Sequence, residues 1–453
     1  MATPESMISE DERLPLIIGF QRVAENTNQI TRFIDHGRGI YVYDTDGREY
    51  IEATASFYAA SLGYQNDELI DAIAAQYREL PFIVSALHRT SSGSLDLAEK
   101  LTEILPLEDP HLIFGCSGSE AIDFLIKLLR FGAVARGEPD RKTIIGRYGS
   151  YHGATLASAS VTGGHHAEFG LPLPGFEHVS QVDYHGNREP GESSFEFSSR
   201  LAAELETLIT SRPIGSIAAM IAEPVSFSAG FQVPPPEYFS AITSVLDRHG
   251  IDLVADEVIT GFGRTGKLFG SQTFRLKPDH MVVAKGITSA YFPLSAVGLN
   301  RDLYNALEVG SDNIGTLAHA STMAAHPVGA AAALKVMEII ERDKLVDHAA
   351  KMGKRLASGL ARFGGHPLVG EIRSLGLGAS LDFLRRDDAD LVVNTDADEV
   401  SILVYNELLE LGVVTRPAGR SIVMAPPLIV QGSEIDEIVL RVGKALDLVQ
   451  STR

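Results

Sequence analysis

The stretch VADEVITGFGRTG, residues 254–266, holds two possible chemistries side by side. Gly261, Gly263 and Gly266 form a G-x-G-x-x-G, the spacing that lets a backbone turn tightly against a pyrophosphate. Asp256 and Glu257 place an acidic pair at the end of an apolar run. The glycine reading needs a helix directly behind the turn, because a dinucleotide rests its pyrophosphate on a helix N-terminus. The residues that follow, KLFGSQTFRLKPD, contain Gly270 and Pro278 and show no apolar stripe of helical period. The fingerprint lacks its context, and the glycines read as a flexible loop over something bound at the strand ends.

The acidic pair asks for a different ligand. In an open α/β sheet, ligands bind beyond the carboxyl ends of the strands. Asp256 stands at one such end and Lys285, in VVAKGIT, at another. Ser117, Gly118 and Ser119 lie between LIFGC and a helical pattern, where the N–H groups of a helix start are free. Each residue has a plainer reading: a turn aspartate, a solvated lysine, an N-cap. Together they offer an anion cup, a carboxylate and a primary amine. Pyridoxal 5′-phosphate needs those groups for its phosphate, its ring nitrogen and its aldehyde.

These residues must be positioned by a sheet. From about residue 111, short apolar runs alternate with amphipathic helical patterns: HLIFGC, KTIIGR, SIAAMIAEP, IDLVADEV, HMVVAKG and AVGLN. Continuous apolar strands separated by helices predict an α/β domain whose mostly parallel sheet is covered on both faces. Before it, residues 37–55 alternate apolar and polar around an Asp-Gly turn, a β-hairpin pattern, and helices are predicted at 67–80 and 93–105. After it come helices at 326–343, 344–363, 398–411 and 433–449, with apolar strands between them. The expected division is an N-terminal segment and hairpin (1–65), a large α/β domain (66–325), and a linker helix with a C-terminal α+β part (326–453). The first and last together would form a smaller domain.

Composition narrows the partners. The 453 residues are 45% hydrophobic, ample for a large core. A net charge of −20 repels phosphate backbones and anionic lipid, so nucleic acid is not an expected partner. No long apolar run predicts a membrane span. The polar start, MATPESMISEDERLP, lacks the pattern of a signal peptide, and the single cysteine, Cys116, fits a reducing cytoplasmic setting. His165 and His166 with Glu168 could suggest a metal. Adjacent side chains on a strand point apart and no third ligand is suitably spaced, so no metal is expected.

Seven segments in combination carry a family resemblance: GCSGSEAID, YGSYHGAT, IAEPV, VADEVITGFGRTG, VAKGIT, HASTMAAHPVG, and VVTRPAG followed by APPL. The chain resembles the class III pyridoxal-phosphate-dependent aminotransferases, in the ω-amino acid or amine:pyruvate branch, from about residue 20 to 449. The resemblance implies fold type I, with a mostly parallel seven-stranded sheet. It also implies a homodimer with shared active sites, or a tetramer built from it. Lys285 would be the Schiff-base lysine and proton shuttle, and Asp256 would face the pyridinium. Val258 and Tyr151 would take the two faces of the ring, with His152 beside Tyr151. Ser117, Gly118 and Ser119 would cup the phosphate, Thr322 would reach the phosphate of the neighbouring subunit, and Glu223 would support the pocket. Arg416 would clamp a substrate carboxylate. The implied reaction moves an amino group from an ω-amino acid or primary amine to an α-keto acid, pyruvate by resemblance, in ping-pong fashion.

The chain departs from the family pattern in places. Cys116 and Ile122 stand where asparagine is common, and Ala320 and Ala325 where glycine is usual. There is no tryptophan; Tyr58 falls where amine-accepting relatives often place one, and Ala86 and Leu87 fall where relatives often carry aromatics. Smaller walls predict tolerance of bulkier amines. Two rival chemistries remain, beside a catalytically silent binding protein on the same scaffold, which the set of Lys285, Asp256, Tyr151 and Thr322 argues against. One is an aminomutase or decarboxylase on the same cofactor. The other is a nicotinamide-dependent oxidoreductase using the glycine turn.

Overall fold

The computed structural model describes residues 15–23, 33–164, 167–387 and 389–453. The stretch 1–14 and the His165–His166 pair lie outside the described residues. Three strands open the fold: β1 (Ile34–Arg38), β2 (Tyr41–Asp44) and β3 (Glu49–Glu52). β2 and β3 form the predicted hairpin around Gly47. β1 is an additional strand; its polar, exposed sequence IDHGR gave no periodic signal.

The central sheet uses β4 (His111–Gly115), β5 (Thr143–Arg147), β6 (Phe176–Val179), β7 (Ile217–Ala222), β8 (Asp252–Asp256), β9 (His280–Val283) and β10 (Ser295–Leu299). Its seven strands run in the order β4-β10-β9-β8-β7-β5-β6. β10 is antiparallel to both neighbours, and the other strands share one direction. The apolar strands follow from double coverage. On one face Ile122, Leu125 and Leu129 of the helix Gly118–Ala135 pack against Ile144, Val254, Val282 and Val297. On the other, Leu201, Leu205, Ile242 and Leu246 pack against Ile145, Met220 and Leu253. All six residues of β7 are therefore buried, which removes any polar alternation from its sequence.

The remaining strands are β11 (Glu371–Leu375), β12 (Gly378–Asp382), β13 (Val413–Val414), β14 (Arg416–Ala418) and β15 (Ser421–Met424). Four of them form the sheet β11-β12-β15-β14, while β13 leaves it to pair in parallel with β3. The amino-terminal hairpin and the carboxyl-terminal segment thus share one sheet. Helices Asp67–Glu79, Ser92–Ile104, Pro327–Arg342, Leu345–Ala361, Ala397–Glu410 and Gly432–Thr452 lie where amphipathic spacing placed them.

The glycine turn at 261–266 is not a loose loop. Gly261, Phe262, Gly263, Arg264 and Thr265 are buried. Arg264 donates to the carbonyl oxygens of Leu377, at 3.1 Å, and Pro426. A Cβ on Gly266, at φ +77°, would lie 3.1 Å from the Ala350 Cβ. The glycines allow close backbone packing against the carboxyl-terminal part of the chain, and the element behind them is the short helix Gly270–Phe274.

Candidate active site

The loops after β4, β5, β7, β8 and β9 leave the sheet at its carboxyl edge and meet around one cavity of about 390 Å3. Ser117, Gly118 and Ser119 follow β4, Tyr151 and His152 follow β5, and Glu223 follows β7. Asp256 ends β8, Val258 follows it, and Lys285 stands just past β9. All of these residues line the cavity. Parallel strands explain the convergence, since their carboxyl ends share an edge.

The anion end is built by the helix Gly118–Ala135. Ser117 is its N-cap and accepts from the Glu120 N–H at 3.2 Å. The first helical N–H groups have no acceptor within the helix and face outward with its dipole. Ser119 Oγ accepts from the Ala154 N–H at 3.0 Å, which leaves the Ser119 hydroxyl proton free to donate. Two close approaches keep the cradle open. A Cβ on Gly118 would lie 3.1 Å from Val258 Cγ2, and one on Gly153, at φ +148°, would lie 2.6 Å from Ser119 Oγ.

Asp256 heads a buried chain of alternating charge. Its Oδ1 accepts from the Val258 N–H at 3.0 Å, and its Oδ2 is 2.7 Å from His152 Nδ1. His152 Nε2 lies 3.4 Å from Glu223 Oε2. Glu223 in turn accepts from Arg147 at 2.8 Å and from the Ser226 hydroxyl at 2.5 Å. Burial alone would lower the His152 pKa; the Glu223 and Asp256 carboxylates outweigh it and raise the value above the usual range. Burial would likewise raise Glu223, but Arg147 and His152 hold it low. Arg147 and the imidazolium together therefore keep the Glu223 carboxylate ionised inside the protein. Arg147 was not singled out from the sequence; its position as the last residue of a strand pattern was the available signal.

Lys285 is held at φ +46°, a backbone strain typical of working sites. Burial lowers its pKa to about 8, with Asp256 pulling upward and Arg416 adding to the depression. Its Nζ lies 5.6 Å from the centre of the Tyr58 ring. Tyr58, expected where amine-accepting relatives often place a tryptophan, is buried and is not among the residues lining the cavity. Arg416 begins β14 and donates to the Tyr58 hydroxyl at 3.1 Å and to Ser228 Oγ, a lining atom, at 3.5 Å. Among the described residues Arg416 has no carboxylate within ion-pair distance, so its charge is available to an incoming anion. Phe227, Ile259 and Phe292 add to the apolar lining; Ile259 lies inside the VADEVITGFGRTG stretch, while no motif contained Phe227 or Phe292.

Besides Tyr58, four expected residues do not line this cavity within the chain: Arg416, which lines a neighbouring pocket with Glu52, Thr54, Ser56 and Phe57, and Thr322, Ala86 and Leu87. Thr322 is exposed in the turns before the helix Pro327–Arg342. Ala86 and Leu87 sit in the connection between two helices, where Leu87 is 83% exposed at φ +52°. Both segments approach the rim through His326, whose ring lies 5.5 Å from Phe82 and 4.7 Å from Phe292. Among the described residues no three His, Cys, Asp or Glu side chains are grouped to hold a metal ion.

Comparison with known proteins agrees with this geometry. The Aminotransferase class-III family matches residues 22–446. A probable gamma-aminobutyrate transaminase 3, mitochondrial, of Oryza sativa subsp. japonica is 38% identical over 416 residues, covering 91% of this chain and 81% of the relative. The omega transaminase from Pseudomonas jessenii, solved in complex with PMP, superposes with a TM-score of 0.94 at 39% identity, covering 96% of this chain and 97% of that one. A thermostable omega transaminase variant engineered for asymmetric synthesis of enantiopure bulky amines also superposes with a TM-score of 0.94, at 39% identity and with 96% and 98% of the two chains covered.

Proposed function

The chain belongs to the class III aminotransferases, and we propose that it moves an amino group from a primary amine or ω-amino acid to a small α-keto acid such as pyruvate. The family uses pyridoxal 5′-phosphate, and the cavity fits it: anion cup, buried carboxylate and depressed lysine line one space of about 390 Å3. That convergence carries the proposal. When bound, the cofactor supplies an aldehyde that condenses with amines and a ring that accepts the electron pair left when a carbon loses its proton.

The protein's own groups would do the rest. Ser117, Gly118 and Ser119 bind the phosphate with N–H and hydroxyl donors. Asp256, whose other side is fixed by His152 at 2.7 Å, would pair with the protonated ring nitrogen. Tyr151 and Val258, which line the cavity, would hold the ring. Lys285, neutral above about pH 8, would take the proton from the amine carbon and deliver it to the cofactor carbon on the other side of the nitrogen. Arg416 binds the keto acid's carboxylate in a two-pronged pair. Both substrates would use the same cavity in turn, hence ping-pong kinetics. In a homodimer, Thr322 and the segment with Ala86 and Leu87 would complete the neighbour's site. The gamma-aminobutyrate and omega transaminases among the relatives support an amine far from any carboxylate as donor.

An absorbance spectrum tests this. The purified protein loaded with pyridoxal phosphate should show a visible band that bleaches with an amine and returns with pyruvate. Lys285→Ala should lack the cycle. A wild-type protein that forms no such band would overturn the proposal.

A further inference from the structure

Ala55, Ser56, Phe57 and Tyr58 have φ of +49°, +46°, +55° and +70°, a turn of left-handed helix without a glycine. Such a conformation is unfavourable in an L-chain, because each Cβ crowds the following carbonyl oxygen. The turn is closed by the Tyr58 N–H to the Thr54 carbonyl at 2.7 Å and the Ala59 N–H to the Ala55 carbonyl at 2.8 Å. Such strain persists only where the surroundings enforce it.

Glu52 enforces it. This last residue of β3 is 6% exposed. Its carboxylate accepts from the Thr54 N–H at 3.0 Å and the Thr54 hydroxyl at 2.5 Å, and the amide and hydroxyl of Ser56 donate to the same group. Ser56 Oγ is also 2.8 Å from the Tyr64 hydroxyl. The carboxylate thus gathers the donors at the mouth of the strained turn. A shorter side chain would leave these donors without an acceptor, and an amide would offer them one oxygen in place of two.

The turn carries two aromatic rings onto one cation. The Arg416 guanidinium lies 5.2 Å from the centre of Phe57 and 5.7 Å from that of Tyr58. Glu52 and Arg416 are linked on the other side as well. β3 and β13 pair with Glu52 opposite Val414, two residues before Arg416. Turn and guanidinium are therefore fixed to the same pair of strands.

We propose that Glu52 is a positioning residue for carboxylate recognition, holding the left-handed turn 55–58 so that Phe57 and Tyr58 aim Arg416 at a substrate carboxylate. The inference rests on the transaminase reading above. Its prediction divides the two half-reactions: the keto-acid half depends on Glu52, and the half with an amine that has no carboxylate does not.

The test is Glu52→Gln in the loaded holoenzyme, with each half-reaction followed separately by the visible band. The expected result is a KM for pyruvate raised about tenfold, with the rate and KM for the carboxylate-free amine within twofold of wild type. Ser56→Gly, added to Glu52→Gln, should recover part of the loss, since glycine adopts the left-handed turn without strain. Thr54→Val, which removes one donor, should give a smaller shift of the same sign and serves if Glu52→Gln does not yield soluble protein. Equal loss in both half-reactions, or no change in either, would overturn the proposal. A wild-type enzyme inert to the amine would instead refute the transaminase reading.

Discussion

Arg416 separates two classes of substrate. Its guanidinium rests on aromatic faces and a phenol and has no acidic partner among the described residues. Arg416→Ala should raise KM for the keto acid roughly ten- to hundredfold, the loss of hydrogen bonds to a charged group worth about 1.5–3 kcal/mol. Arg416→Lys should recover little, because a lysine cannot reproduce the planar fork. Steady-state kinetics with pyruvate against a carboxylate-free amine reads the difference. Lys285 supplies a pH prediction. Condensation with the cofactor aldehyde needs its neutral amine, so loading of the ligand-free protein should speed up as pH rises through about 8 and level off above it. Arg416 contributes to that depression, so Arg416→Ala should move the midpoint upward, measured by stopped-flow mixing with pyridoxal phosphate. At this scale the sequence was informative where a residue sat at a strand end: Asp256, Lys285 and the Ser117–Ser119 turn all follow from that rule. Glu52 also ends a strand, but what it does depends on a backbone conformation that no residue type in ASFY announces.

The acidic pair shows what an element adds. Asp256 and Glu257 are adjacent at the end of β8, and their side chains serve different structures. Asp256 faces the cavity and His152. Glu257, fully buried, accepts from the Thr260 hydroxyl and from the N–H groups of Gly270, at 2.8 Å, and Ser271, so it caps the helix Gly270–Phe274. Burial raises its pKa, those donors opposing the rise. Glu257→Ala strands these donors and should cost about 2–4 kcal/mol, seen as a lower Tm of the ligand-free protein. The visible band of the fraction that remains folded should keep its position. Asp256→Asn should do the reverse, changing the band and the rate more than the Tm. Amphipathic helices were legible because each buries one stripe, and the outcome agrees to within a residue or two at Asp67–Glu79 and Pro327–Arg342. The glycine turn was legible only as a non-helix. Its burial depends on Ala350, Leu428 and Gly376, which are remote in sequence and close in space.

At the scale of the molecule, one chain leaves part of its expected site facing outward. Thr322 is exposed, and so are Leu87 and Met323, at 83% and 51%, apolar side chains that a partner would cover. Only the family resemblance assigned Thr322 and Leu87 to a site, because within one chain their loops end short of the cavity. If a second copy supplies Thr322 to each phosphate cup, the sites are composite and two defective chains can complement. Lys285→Ala removes the lysine from its own site. Thr322→Asp places a carboxylate beside the partner's phosphate and should weaken cofactor binding there by charge repulsion. In a mixed dimer, one site inherits both defects. The other combines Lys285 from the second chain with Thr322 from the first and is intact. Mixing the two inactive variants under conditions of subunit exchange should therefore restore activity, rising to about a quarter of the wild-type value for equal amounts, since half of randomly paired dimers are mixed and each carries one intact site of two. Activity that stays at the level of the separate variants, with exchange verified by a tagged subunit, would place Thr322 outside the partner's site.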